Sequence, residues 1–445
     1  MQNDLFIRDL GDGLILRHAA PSDADALADF NAKIHGESES DAPRLAAWTR
    51  DLLTHPHPTF NADDFTIVEE TATGRIVSSC NLISQQWAYE GVPFGVGRVE
   101  LVGTLAEFRG RGLIRAQFDE LHKWSAARGE MVQSITGIPY FYRQFGYEMG
   151  LELGGGRVGF EPLFPRLKEG ESEPFTFRAV READIPFMLE VYAHAQKRGL
   201  VTSHRDEKIL RYEIFGKSAE NVNRLEFRVI ERADGEPVGY LTHPQYNWNL
   251  GLVLFEFELK PGVSWLEVSL SAARYGLAKG KEYAQRDGDP LEMKSGVAFW
   301  HGTAHPAYVV LRDRLPRIRL AYAWYVRVPD LAGFVRHIAP ALEKRLAESY
   351  LVGYSGTLAY TFYRDGLKLV FEKGKLKEVE SYKPASGMHT DAGFPDLSFL
   401  QLLFGYRSMD ELRAHYADCY ADSEDTHVVT AALFPKKSSQ VVGLT

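Results

Sequence analysis

A repeat constrains this chain more than any other feature. Arg17 and Asp23 in LRHAAPSD recur as Arg178 and Asp184 in FRAVREAD, both pairs 161 positions apart. The same offset joins Val68, Glu70, Gly74 and Val77 to Val229, Glu231, Gly235 and Val238. A constant spacing over so many positions marks a duplicated structural unit. Each copy opens with a strand, continues into a helix and reaches a β-hairpin, with Thr73-Gly74 and Asp234-Gly235 as hairpin turns. A chain of 445 residues has room for both copies and a further unit.

Residues 153–175 are dense in Gly, Pro and charge and read as a linker. The second copy ends near Arg327. Residues 357–380 then alternate apolar and polar side chains around Asp365-Gly366 and Lys373-Gly374, the pattern of a three-stranded antiparallel meander. Leu397 to Phe404 reads as a short apolar helix, and Ser408 to Glu411 as a capping box that opens another. The last third is therefore α+β. Its meander and its Leu402-Leu403-Phe404 helix fit a lipid groove or a small packed core equally well.

The chemistry concentrates in residues 98–129. Arg98 to Thr104 reads as a buried strand, Arg109-Gly110-Arg111-Gly112-Leu113-Ile114 as a turn, and Ile114, Phe118 and Leu121 as one apolar face of a following helix. A strand, a basic glycine turn and a helix N-terminus form an anion-binding arrangement, because the first helical amides are unpaired and the helix dipole is positive there. The ligand expected is a di- or polyphosphate. A Walker Lys-Ser/Thr pair and a Rossmann G-x-G-x-x-G are both missing, which argues against nucleotide hydrolysis.

Charge and composition exclude other classes. With 51 Lys+Arg against 60 Asp+Glu the net charge is −9, so nothing draws the chain to nucleic acid or anionic lipid. No long apolar run suggests a membrane span, and no signal peptide is apparent. Two distant cysteines, Cys80 and Cys419, fit a reducing cytoplasm rather than a disulfide framework or a Cys-rich zinc site. No metal is expected: His301 and His305 have helical ligand spacing, but Gly302 and Pro306 interrupt the helix and no third ligand is evident. His55 and His57 sit in a Pro-rich loop and read the same way.

After a further strand comes GIPYFYRQFGYEMG, residues 137–150. Together with the basic turn it resembles the GNAT superfamily of N-acetyltransferases, whose Arg/Gln-x-x-Gly-x-Gly/Ala pattern is met by Arg109 and Gly112, with Ile114 where Gly or Ala is usual. The R-x-R-G-L-I form, the FYRQFGY segment, the tandem repeat and the extra tail unit are similar to the enhanced intracellular survival (Eis) family. That resemblance implies two GNAT-like mixed-sheet units, 1–154 and 175–327, followed by a sterol-carrier-like α+β unit, 328–445. It implies acetyl-CoA as co-substrate, held by Leu101, Val102 and Gly103, by Arg109, Gly110, Arg111, Gly112, Leu113 and Ile114, and by Gly137 and Ile138. A backbone N–H near Val102 or Gly103 would face the thioester oxygen.

The resemblance makes Tyr142 the proton donor to the leaving thiolate, with Tyr140 and Tyr147 as packing residues. It makes the α-carboxylate of Thr445 the base, although the chain ends Gly-Leu-Thr rather than in an aromatic residue and a frayed tail is the default for a terminus. The second copy has Leu270 where the first has Arg109, so it should lack the coenzyme loop, and Tyr308 would be a structural counterpart of Tyr142. Glu37, Glu39 and Asp41 border the acceptor side or form a solvated acidic loop. The implied reaction is direct transfer of acetyl to a primary amine in a ternary complex, the acceptor being aminoglycoside-like, polyamine-like or a lysine side chain. The resemblance further implies a homo-oligomer, a hexamer among the options. The alternative reading is a non-catalytic acyl-CoA or lipid-binding protein that uses its C-terminal unit.

Overall fold

The computed structural model describes residues 5–36, 38, 41–288, 295–385 and 387–445. The N-terminal unit runs β1 (Phe6–Gly11), β2 (Leu14–His18), α1 (Ala24–His35), α2 (Asp41–Thr54), β3 (Phe65–Glu70), β4 (Arg75–Tyr89), β5 (Val92–Thr104), α3 (Leu113–Ala127), β6 (Val132–Ile135), β7 (Glu148–Leu153). Leu27 and Phe30 of α1 and Trp48 and Leu52 of α2 lie at helical spacing, and they pack with Phe65, Ile67 and Ile83 on one face of the sheet. Phe118 and Leu121 of α3 cover the other face, with Leu82 and Val99.

The second unit runs β8 (Gly156–Phe160), β9 (Phe175–Ala179), α4 (Ile185–Gln196), β10 (Val201–Ser203), α5 (Glu207–Arg211), β11 (Leu225–Arg232), β12 (Pro237–Pro244), β13 (Gly251–Leu254), β14 (Glu256–Leu259), α6 (Trp265–Asp287), β15 (Gly296–Phe299), α7 (Pro306–Leu311), β16 (Arg317–Arg319) and β17 (Tyr322–Arg327). The repeat has a physical basis. Arg17 donates to Asp23 at 2.8 and 2.9 Å and to Glu69 at 2.6 Å, tying β2, the entry to α1 and β3 together. Arg178 donates to Asp184 at 2.6 and 2.8 Å and to Glu231 at 2.7 Å in the same way. One correction follows: the counterpart of Glu231 is Glu69, not Glu70. The register shows the slip, since Arg17 faces Ile67 whereas Arg178 faces Val229. A four-residue turn before Arg75, against three before Glu236, restores the offset at Gly74 and Gly235.

Two strands of the second unit, β17 and β10, join the sheet of the first. The largest sheet has the order β1-β2-β3-β4-β5-β6-β17-β7, so β17 inserts between β6 and β7, while β10 pairs with β4. β8, which follows directly on β7, pairs with β15 and β16 in the second unit's own sheet. The segment 153–175, read as a linker, thus contains a strand. Gly154, Gly155 and Gly156 all have positive φ and carry the chain from one sheet to the other.

The C-terminal unit adds helices Leu331–His337 and Ala339–Ala347, then the expected meander, Gly356–Thr361, Gly366–Glu372 and Lys375–Tyr382. Leu402, Leu403 and Phe404 are fully buried in a core shared with Trp87 and Tyr89 at the end of β4, so this helix belongs to packing. The capping box at Ser408 forms as expected. The last residues run extended: Leu200 N–H donates to Ser438 O and Gln440 N–H to Val201 O, both at 2.9 Å. No helix among the described residues is long and apolar enough to cross a membrane.

Removing Arg17 leaves two half-buried carboxylates unpaired. Arg17→Met is expected to cost about 2–3 kcal/mol of unfolding free energy, somewhat less than a fully buried pair. Burial pushes Asp23 upward, but hydrogen bonds from Arg17 and from Ala20 N–H win and hold it below its ordinary value of 3.8. The Asp23 contribution is therefore present above that pH and lost as pH falls through the lower folded value. Urea titrations at pH 7 and pH 3 check this: the deficit of the variant should shrink at the acid end, and an equal deficit at both would contradict the assignment.

Candidate active site

β5 and β6 are parallel partners only from Val96 to Arg98, against Val132 to Ser134. Past that point they part. β6 stays paired on its far edge with β17, from Gln133 to Ile135, while its β5-facing edge opens. On its other side β5 bulges against β4 between Glu100 and Gly103, and Leu101 takes a φ of 51°. A cavity of about 860 Å³ opens in this fork. Leu101, Val102 and Gly103 line one wall, and Gly137 and Ile138 the other.

The basic turn closes one end of the cavity. Gly110 and Gly112 have φ near 77° and 76°, a backbone that L side chains rarely adopt, and Gly112 is the N-cap of α3. No side-chain cap satisfies the first turn of α3. Its amides therefore remain available to an anion beside Gly112, Leu113 and Ile114, which line the cavity. Arg109 lines it as well. Arg111 does not: its guanidinium donates to Asp12 at 2.9 Å and lies over the Phe108 ring. Arg115, one turn into the helix, lines the cavity instead, donating to Gln144 at 3.2 Å. The donor set fits a diphosphate, with backbone amides, two guanidiniums and no carboxylate among the turn residues.

Tyr142 stands on the inner wall. It is 4 % exposed and packed among Phe118, Phe141 and Tyr325. Its hydroxyl makes no hydrogen bond to a described residue. Burial, then the charge of Glu100, push its pKa well above the ordinary phenol value, so the group keeps its proton. Tyr147 is a packing residue as expected, its hydroxyl bonding His122 at 2.9 Å, whereas Tyr140 does not pack: its side chain is exposed and only its backbone N–H is engaged, donating to the Tyr325 hydroxyl.

Sequence reasoning missed two further residues of this wall. Glu100 lines the cavity and pairs with Arg98. His35, the last residue of α1, lies over Gly103, and burial pushes it below the usual imidazole range. Strand alternation could have found Glu100; nothing local marks His35. Thr445 is not in this cavity. It lies buried against Lys217, whose ammonium donates to its hydroxyl at 2.9 Å. The neighbouring Leu444 carbonyl accepts from Gln85 at 2.8 Å and from Arg98 at 3.0 Å, so one ion pair separates the tail from the cavity wall. Of the acidic run, Asp41 opens α2, while Glu37 and Glu39 fall outside the described residues.

The second unit carries no such turn. Leu270 lies within α6. Tyr308 bonds the Phe299 carbonyl at 2.9 Å and is structural. Gly302 has a φ of 71° outside any helix, as the sequence indicated, yet the chain brings the His301 and His305 rings together, centroids 4.3 Å apart.

Residues 16–150 match the family model described as acetyltransferase (GNAT) domain. No curated protein sequence matches the chain. Among solved structures, a GCN5-related N-acetyltransferase from Anabaena variabilis superposes with a TM-score of 0.63 at 14 % identity, over 96 % of this chain and 99 % of its own. Another from Kribbella flavida gives 0.58 at 15 % identity, over 97 % and 98 %. Eis1 from Mycobacterium abscessus gives 0.57 at 12 % identity, over 97 % and 99 %. The resemblance read from the Arg109–Ile114 turn and the FYRQFGY segment is borne out: residues 16–150 carry a GNAT acetyltransferase domain, and nearly the whole chain shares the fold of these solved N-acetyltransferases.

Proposed function

We propose that this protein transfers an acetyl group from acetyl-CoA to a primary amine by direct attack in a ternary complex. One observation carries the reading: a single cavity joins the free amides of the α3 N-terminus to an unpartnered, proton-retaining phenol, with a splayed strand edge between them. The catalytic unit is 1–154, followed by the second GNAT-like unit at 175–327 and a sterol-carrier-like unit at 328–445. The acceptor is an aminoglycoside-like or polyamine-like molecule or a lysine side chain, and the protein works in the cytoplasm as a homo-oligomer. Acetyl-CoA supplies the activated acyl group; the remaining tasks belong to this chain.

Arg109, Arg115 and the amides of Gly112 to Ile114 bind the diphosphate. Arg111 contributes through its backbone. The edge of β5 from Leu101 to Gly103 accepts the extended pantetheine arm, and an N–H at Val102 or Gly103 faces the thioester oxygen, where negative charge develops. Tyr142 gives its proton to the departing sulfur. The acceptor arrives as an ammonium with a pKa of about 10.4 and must lose a proton first. The base that the resemblance implies, the Thr445 α-carboxylate, lies outside this cavity behind the Arg98–Glu100 pair, so the geometry favours Glu100, on the same wall as Tyr142, as the group that takes the proton.

Tyr142→Phe should lower kcat by about 10²–10⁴ while the affinity for CoA barely moves. Because burial raises the phenol, wild-type kcat should show no fall assignable to Tyr142 between pH 7 and about 10. Wild-type turnover in the variant would remove the proton-donor role. Tight acyl-CoA binding with no turnover over a panel of amines would favour the non-catalytic lipid- or acyl-CoA-binding alternative.

A short extension beyond Thr445 tests the base. Loss of at least about tenfold in kcat/KM, with CoA affinity kept, supports the carboxylate. Full activity in the extended enzyme, with loss in Glu100→Gln, assigns the role to Glu100.

A further inference from the structure

A second cavity, of about 380 Å³, lies between β5, the second unit and the chain's last residues. It shares no lining residue with the transfer cavity. Its walls are aromatic. Trp248 meets Trp300 edge to face with centroids 5.7 Å apart and Phe255 at 5.2 Å, and Trp324 closes the inner side. The tail forms another wall, where Gly443 rests against Arg98 and Trp324 so closely that a Cβ would collide with the guanidinium.

The polar groups of this cavity are left over rather than matched. Glu152 accepts from the hydroxyls of Thr303 and Ser438, both at 2.7 Å, and no cation among the described residues pairs with it. Glu213 gives one oxygen to Lys217 at 2.9 Å, and its other oxygen is buried without a partner. The Trp324 indole N–H is also buried without a partner, in a side chain 2 % exposed, as is the second ring nitrogen of His301. Groups of this kind are rare in a folded interior unless water or a ligand meets them. Arg98, the one cation lining the cavity, is already committed to Glu100 and to the Leu444 carbonyl.

Aromatic faces attract cations through the ring quadrupole, and a desolvated carboxylate adds a charge for the cation to meet. Trp248 and Trp300 offer ring surface, the Trp324 ring being already faced by the Arg98 guanidinium at 5.0 Å; with the unpaired Glu152, the half-paired Glu213 and Thr445 on the lining, the site favours a cation over an anion or a neutral apolar molecule. From this combination we infer that the cavity under the tail binds an organic ammonium with an apolar body, at a site separate from the acetyl-CoA cleft.

Benzyltrimethylammonium is the probe, because its quaternary nitrogen has no proton to lose and cannot be acetylated. Binding would be followed by calorimetry and by tryptophan fluorescence in full-length protein saturated with CoA. One saturable site is expected, with Kd raised tenfold or more by Trp300→Ala and by Glu152→Gln, and with the neutral isostere neopentylbenzene at least tenfold weaker. Thermal melts report folding; if Trp300→Ala does not fold, the nearly isosteric Glu152→Gln decides. Competition with CoA, an unchanged Kd in Glu152→Gln, or equal binding of the neutral isostere would each overturn the proposal. None of these outcomes depends on acetyl transfer, so the proposed reaction stands or falls separately.

Discussion

The separation of two parallel strands after Arg98 and Ser134 governs everything that follows in this molecule. A sheet leaves few backbone groups unpaired, because an unmet N–H or C=O inside a protein is costly. Here β5 loses its parallel neighbour from Val99 onward, while β6 keeps only its far edge paired, to β17 through Gln133, Ser134 and Ile135. The bulge at Leu101, with its positive φ, tilts that edge further. What remains is a row of main-chain groups beside a helix N-terminus, open to a guest that is extended, hydrogen-bonding and anionic at one end.

The fork is maintained from far along the chain. β17, the last strand of the second unit, holds the far edge of β6, the strand that walls the fork opposite β5. The tail pairs with β10, which itself pairs with β4 on the sheet that holds the cleft. The core of the C-terminal unit includes Trp87 and Tyr89 at the end of the same β4. Three units therefore brace one sheet, and damage in a remote unit can reach the cleft through continuous strand pairing rather than through a loop.

Much of this was legible because it rests on local rules. Arg17 and Asp23 repeat as Arg178 and Asp184 since each pair closes the same strand-to-helix corner, and the basic turn declared itself by glycines that positive φ demands. What was hidden was non-local. A one-residue slip between the copies is cheap in a loop and invisible in a list of matching letters, so Glu70 stood in for Glu69. Gly154 to Gly156 looked like a linker because the strand partners that use the crossing, β15 and β16, come more than 130 residues later. Arg111 was credited with the anion because turn composition does not say which arginine folds back; Asp12, on a distant hairpin, decides it. Arg115 was passed over as an ordinary helix residue, and the tail's approach to Arg98 has no sequence signal at all.

The second unit acts as an internal control for this account. It keeps the corner of arginine and two carboxylates, so that corner serves the fold and not the chemistry. It lacks the glycine turn, and the edge strand that leads into its long helix, β14, carries Glu256 and Glu258. Glu256 is held by Arg205 through two bonds at 2.8 and 3.1 Å, and Glu258 pairs with Arg198; both carboxylates are fully buried. A buried, paired carboxylate is expensive to disturb, since removing either partner strands a charge in low dielectric. The same duplicated frame thus ends in two ways. One copy sets its strand edge beside a glycine turn and a helix N-terminus; the other, whose β14 is also an edge strand, has no such turn, buries two ion-paired carboxylates on that strand and becomes the wall against which the tail and the aromatic cavity are built.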